Sequence, residues 1–254
     1  MKKYLLIFIL SVLFANGFTS YAQEQEQNIE NYKTDFSFGL NINSMSGLLG
    51  GINFKYARQI KPLHYRIFFA EFVNIKHPKE DSRIGNSASG GETFVPGKLN
   101  YLTMLRTHYG REIVLFRPAN EQGVQINFVG SVGATFGFEI PYYVEYIKFN
   151  SQNRTSEILI DRYDPNNPDQ TFGSIVRSRG ILGEGLGKMS TIYGASAKIA
   201  LSFRFNAFRN TAVGLEGGTM VDVMNKKTQI MVGGEDRQVY HTFFLTLFYA
   251  IQGK

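Results

Sequence analysis

Four histidines, His64, His77, His108 and His241, are the side chains of this 254-residue sequence best suited to acid–base work, because imidazole changes charge near neutral pH. A histidine that activates a nucleophile needs a Ser within reach, or an Asp to orient it. No local motif ties a Ser or Asp to any of the four. The chain has no Cys, which excludes a disulfide scaffold, a Cys-ligated metal site and a cysteine nucleophile. Residues 161–170, Asp-Arg-Tyr-Asp-Pro-Asn-Asn-Pro-Asp-Gln, are dense in hard oxygen donors that could hold calcium. They lack the spacing and distal Glu of a calcium loop and read as a solvated turn. Residues 180–188 end in Gly-Lys like a phosphate loop, but without its spacing or following helix, so they read as a flexible loop. Asn153-Arg154-Thr155 is a glycosylation triplet that carries no weight in a bacterial host. No catalytic residue, metal site or cofactor is assigned on these grounds.

The elements around these residues begin with an address. Lys2 and Lys3 precede an apolar run from Tyr4 to Ala15, and Ser20-Tyr21-Ala22 follows. This is the layout of a secretory signal peptide over residues 1–22, with a polar periplasmic leader over 23–34. Removing the two lysines leaves 25 basic residues of 27 against 21 acidic ones, so the formal charge falls from +6 to +4. So small and dispersed an excess does not indicate nucleic acid. The mean hydropathy of −0.16 excludes a bundle of membrane helices.

From residue 35 onward apolar and polar residues alternate with the period of a β-strand, in about eight runs. The first sets Phe36, Phe38, Leu40 and Ile42 against Asp35, Ser37, Gly39 and Asn41; the second sets Ile52, Phe54 and Tyr56 against Asn53, Lys55 and Ala57. In the third, Leu63, Tyr65, Ile67, Phe69, Val73 and Ile75 form the apolar face, opposite His64, Arg66, Ala70 and Asn74, and Glu71 interrupts the phase. The remaining five place Arg106 and His108, Glu139, Lys198 and Arg204, Glu216 and Asp222, and Thr242 and Thr246 on their mixed faces.

Two architectures accommodate such runs: a soluble sandwich or barrel, and a transmembrane barrel. Mixed faces rich in Gly, Ser and Thr but poor in charge suit a lumen better than a water-facing surface. Runs of about ten residues match a tilted bilayer crossing. With the N-terminus in the periplasm, connectors 60–62, 110–123 and 207–210 lie on that side, and 44–51, 76–97, 141–188 and 225–238 lie outside. Shorter inner and longer outer connectors are the habit of outer-membrane barrels. The expected fold is all-β: a transmembrane up-and-down antiparallel barrel of residues 35–254, with eight strands, or ten if the third long loop adds two.

An eight-stranded barrel is just wide enough for side chains to fill. Asp35, Lys55, Arg66, Arg106, Glu139, Lys198, Arg204, Glu216 and Asp222 fall in lumen phase and are the candidate ion-pair network, since a charge removed from water needs a partner. The alternative use of the same charges is a polar conduit or a proton-linked switch.

Gly-Arg-Glu-Ile-Val-Leu-Phe-Arg at 110–117, Gly-Val at 123–124 and Phe-Gly-Phe-Glu-Ile-Pro-Tyr-Tyr at 136–143 resemble a group of outer-membrane β-barrel proteins of Bacteroidota, small porin-like or OmpA-like barrels mostly without assigned activity. The Ala22-Gln23 junction is similar to that phylum's signal peptides. The resemblance implies location and fold more than function. Three roles follow. The first is a structural or interaction subunit with a closed lumen, in contact with outer-membrane lipid or lipopolysaccharide and with other outer-membrane proteins through loops 76–97 and 141–188. The second is an accessory subunit of a larger assembly, secretion or nutrient-uptake complex. The third is a barrel enzyme acting on lipid A or peptides, for which His64 and His108 are the residues to test.

Overall fold

The computed structural model describes residues 32–84, 93–118, 123–150, 155–171, 176–179, 184–208 and 210–253. The expected signal peptide 1–22, most of the expected leader 23–34, most of the tip at 82–91, Asn153 and Arg154, and Gly180 to Gly183 lie outside the described residues.

Eight strands close into one antiparallel barrel: β1 (Thr34–Asn43), β2 (Gly47–Lys61), β3 (His64–Ile75), β6 (Asn100–Phe116), β7 (Val124–Pro141), β11 (Ser190–Phe208), β12 (Thr211–Thr228) and β13 (Arg237–Gly253). Each pairs with its neighbours in the ring, and β13 returns to β1 through Thr34↔Gly253 to Asn43↔Phe244. The register from Phe38 runs through Phe54, Ala70, Thr107, Ala134, Ala195, Val223 and Val239. It then meets the line of β1 about ten residues beyond its start. That stagger tilts the strands by roughly 40°.

The long loops carry β-structure of their own. β4 (Arg83–Ile84) pairs with β5 (Thr93–Phe94), while β8 (Tyr143–Asn150), β9 (Thr155–Arg162) and β10 (Val176–Arg179) form a separate sheet with β8 in the middle. The third long loop therefore carries three strands rather than the two allowed for, and none of them joins the wall, which stays at eight. A single helical turn, α1 (Pro168–Thr171), follows β9.

Three expectations need correction. The third run is inverted: Tyr65, Ile67, Phe69, Val73 and Ile75 point inward, and Arg66, Phe68 and Phe72 point outward. The inward set packs with Tyr32, Val114 and Phe244 lower down and with Leu102, Met104 and Ile192 higher up, so this strand supplies apolar filling. Glu71, the apparent fault in the phase, is simply an inward residue. The connector drawn at 110–123 shrinks to 117–123, because Ile113 to Phe116 belong to β6. The outer connector drawn at 44–51 is a turn at 44–46.

Candidate functional site

The lumen is built in layers, beginning at the end where β1 starts and β13 finishes. Tyr32, two residues before β1 begins, turns inside and stacks on Tyr65 with ring centroids 4.8 Å apart. Its hydroxyl accepts from Arg204 Nη1 at 2.8 Å, and Arg204 Nη2 reaches Asp35 Oδ1 at 2.8 Å. Lys33 N–H donates to the Gly253 carbonyl and Gln59 N–H to the Lys33 carbonyl, which extends the pairing of β1 with both neighbouring strands by one residue.

Above this lies a four-membered ionic layer. Lys55 Nζ bridges Glu112 Oε2 and Glu216 Oε2, each at 3.0 Å, and Lys198 Nζ holds Glu216 Oε1 at 2.6 Å. Asn127 donates to the remaining Glu112 oxygen at 2.5 Å. The Lys198 ammonium also sits 3.7 Å from the Phe69 ring centroid, so an inward aromatic of β3 helps solvate it.

His108 occupies the next layer, with Nδ1 3.1 Å from Ser131 Oγ and Nε2 2.6 Å from Ser196 Oγ. Thr135 connects Ser196 to Asp222. Arg106 then grips Asp222 with two nitrogens, at 3.1 and 2.6 Å, and Glu71 with a third at 2.7 Å. Asn41 donates to the other Glu71 oxygen. Planar guanidinium suits this bidentate geometry better than an ammonium would.

Four cations, Lys55, Arg106, Lys198 and Arg204, therefore interlock with five carboxylates, Asp35, Glu71, Glu112, Glu216 and Asp222. All are buried. Of the nine charges expected in the lumen, Asp35, Lys55, Arg106, Lys198, Arg204, Glu216 and Asp222 lie in this network. Arg66 does not, since the inverted β3 turns it outward. Glu139 is in lumen phase but half-buried near the opposite rim, and forms no ion pair among the described residues. Glu71 and Glu112 were missed. In the sequence Glu71 shows only as the break in the third run, and Glu112 lies in the stretch 110–123 that reads as a connector.

Packing leaves little room beside these groups. A void bounded by Ser37, Asn53, Lys55, Phe69, Glu216, Thr246 and Phe248 measures about 10 Å³, space for a single water. Toward the loop end the filling becomes apolar: Val73, Ile75, Leu102, Met104, Ile192, Met224, Ile230, Met231 and Tyr240 form one cluster.

The loops cover that end. Lys98 bridges to Met231, Leu99 N–H donates to the Ile230 carbonyl at 2.8 Å, and Lys98 Nζ meets Glu80 at 2.7 Å. Phe94, Tyr142, Val144, Tyr146, Tyr163 and Val176 make a small core beneath the loop sheet. The Tyr142 hydroxyl accepts from Val95 N–H at 3.0 Å, and burial pushes its phenol up to about 12, so it stays neutral. His77 Nδ1 accepts from Lys79 N–H at 3.1 Å. In the segment 161–170, Asp164 Oδ1 caps Asn166 N–H in an Asx turn, and Gln170 closes the turn from inside.

The other histidines stand apart from one another. His64 faces outward beside the 62–63 turn, a correction to its expected lumen position, with Nδ1 3.0 Å from the Pro62 carbonyl. His241 lies on the outer wall, 2.7 Å from Thr219 Oγ1. The Ser196–His108 contact has the distance of a nucleophile and its base, but both residues are sealed inside the wall, and it acts as a strut.

The outer wall has the opposite character. Phe38, Ile52, Val132, Ile199, Phe243 and Leu247 are each more than half exposed, and every one of the eight strands contributes large apolar side chains to this surface. Fold and site together define a closed eight-stranded barrel, charged within and apolar without.

No family model matches the chain, and no curated protein does. Among solved structures, it is similar to Ail, the attachment invasion locus protein of Yersinia pestis, at 10% identity and a TM-score of 0.41 over 88% of this chain and 99% of that one. The same protein in complex with the heparin analogue sucrose octasulfate gives 0.40 at 10% identity, with the same coverage. Neisserial surface protein A gives 0.43 at 8% identity, over 86% and 95% of the two chains. At such scores the barrel rests on this chain's own closed register.

Proposed function

We propose that the chain is an integral outer-membrane barrel with a closed lumen, acting as a structural or interaction subunit. The observation that carries this reading is the inside-out distribution: apolar side chains cover the outside of all eight strands, while nine charged groups are interlocked within. A water-soluble barrel would face the aggregation expected of such a continuous apolar surface; a bilayer requires one. The signal-like sequence of residues 1–22 and the placement of the start of β1 beside the end of β13 suit a periplasmic N-terminus. The test is gel mobility of the outer-membrane fraction with and without boiling. A heat-dependent shift is expected, and mobility indifferent to heating would overturn the barrel-in-membrane reading.

Among the described residues ion pairs fill the middle of the lumen and apolar side chains its outer third, which favours a closed lumen over a conduit. Interaction then falls to the loops, as expected for 76–97 and 141–188. The three-stranded sheet leaves Phe149, Ile158 and Ile160 exposed and, among the described residues, β9 without a second partner strand, which suits a protein partner of the same membrane. Co-purification from mildly solubilised membranes tests this, with Phe149→Ser and Ile158→Ser expected to reduce recovery of the partner. A lone monomer in both cases counts against the subunit role. An enzymatic role on lipid A has no supporting geometry, and an unaltered lipid A profile in a deletion strain is expected.

A further inference from the structure

Three arginines on the outer wall, Arg66 among them, take no part in the lumen network. Arg58 on β2 lies directly opposite Arg66 on β3, and Arg66 lies directly opposite Arg111 on β6. All three are exposed and outward-facing. They form a row along the hydrogen-bonding direction, with side-chain origins about 5 Å apart from strand to strand. Like charges placed directly opposite one another weaken a sheet. Each lumen cation has a carboxylate within 3.0 Å, yet among the described residues no carboxylate pairs with any arginine of this row.

The row's position says what would neutralise it. It lies within roughly 15 Å of the rim where β1 starts and β13 finishes, taking 3.3 Å of rise per strand residue. Arginines at that depth can extend their guanidinium groups to the membrane surface while their stems stay in the apolar layer. On the other side of the row, toward the membrane centre, Phe68 and Tyr109 pack together at 5.2 Å, and Val132 lies opposite Tyr109. The Arg66 guanidinium is 6.0 Å from the Tyr109 ring centroid. Three guanidinium forks beside an exposed aromatic and aliphatic wall match a ligand with an anionic phosphate head and hydrocarbon tails.

We propose that Arg58, Arg66 and Arg111 form a binding site for the phosphate of an anionic glycerophospholipid in the periplasmic leaflet, with its acyl chains against Phe68, Tyr109 and Val132. The site rests on the membrane reading above and adds a lipid class and an address. A phosphate held here screens the three charges from one another and fixes the barrel's depth in the bilayer.

The test inserts the full chain into vesicles of phosphatidylcholine containing a minor fraction of phosphatidylglycerol, extracts it gently, and identifies retained lipid by native mass spectrometry. Wild type is expected to retain phosphatidylglycerol several-fold above its bulk fraction, and added salt should weaken the selection. The triple variant Arg58→Gln, Arg66→Gln, Arg111→Gln should lose that enrichment. Arg66→Gln alone should lower it about fivefold. Heat-shifted gel mobility shows that each variant is folded, and the single variant serves should the triple one fail to insert. Excess inorganic phosphate should not displace the lipid; displacement would mean a free-phosphate site and overturn the proposal. Equal retention of phosphatidylglycerol by inserted wild type and inserted variants would overturn the site alone. Failure of wild type to enter vesicles would overturn the membrane reading and the site with it.

Discussion

The two ends of the lumen solve the same filling problem with opposite chemistry. Toward the termini, Arg204, Lys55, Lys198 and Arg106 are laced to five carboxylates, and nearly every polar atom depends on a specific partner. Toward the loops, Leu102, Met104, Ile192 and Met224 fill the same width with apolar contacts, and tyrosines and loop backbones seal the top. Ionic filling is intolerant of losing one member, because the orphaned charge stays buried. Apolar filling loses only the contacts removed and the cavity left behind.

This difference can be broken most severely at Glu216, which holds both Lys55 and Lys198. Glu216→Ala is expected to destabilise the barrel by about 3–5 kcal/mol, read from urea unfolding in lipid or detergent. A loss under 1 kcal/mol would mean that water already solvates those lysines. Replacing Arg106, Glu71 and Asp222 together by Met, Gln and Asn should cost far less than Arg106→Ala alone, because no unpaired charge remains. At the other end, Leu102→Ala should cost about 2–4 kcal/mol, with the ionic layers unaffected.

A smaller effect separates the loop cap from the barrel by pH. Burial, with Arg237 and Lys79 close by, holds the His77 imidazole below its ordinary range against the pull of Glu80 and Glu235. An unfolded loop takes up its proton near pH 6.5, whereas the folded one resists until lower pH. Cap stability is therefore complete above about pH 6.5 and declines as pH falls below it. Protonated Nδ1 also cannot accept from Lys79 N–H. Limited proteolysis of the loops should accelerate at pH 5.5 while the barrel stays intact, and His77→Asn should remove the pH dependence. The smallest change is expected at the outer wall, where Arg66→Gln in detergent should shift stability by no more than about 0.5 kcal/mol, since it breaks no ion pair.

Much of this architecture was legible in the linear pattern. On β1, β2, β7, β11, β12 and β13 alternation alone separated the apolar outer set from the inner one, because the outward positions of these strands are uniformly apolar and the lumen positions are mixed. It misled at β3, where both faces are rich in apolar residues. One faces the lumen core and the other the outside, and period two cannot tell which is which. Arg66 and Glu71 exchanged sides for that reason. Glu112 went unread because β6 continues past Gly110, a residue that looked like a strand end.

The sequence by itself determined a signal-like N-terminus, an all-β chain, eight long runs and a surplus of buried charge of both signs, since each is a property of composition or of neighbours two apart. Only the closed barrel decided which charges meet. Lys55 and Glu216 are 161 residues apart, Arg106 and Asp222 are 116 apart, and the row of three arginines spans three strands. Pairing across such separations depends on strand register and ring closure, which set every inward side chain's height in the lumen, and nothing local to those residues encodes that height.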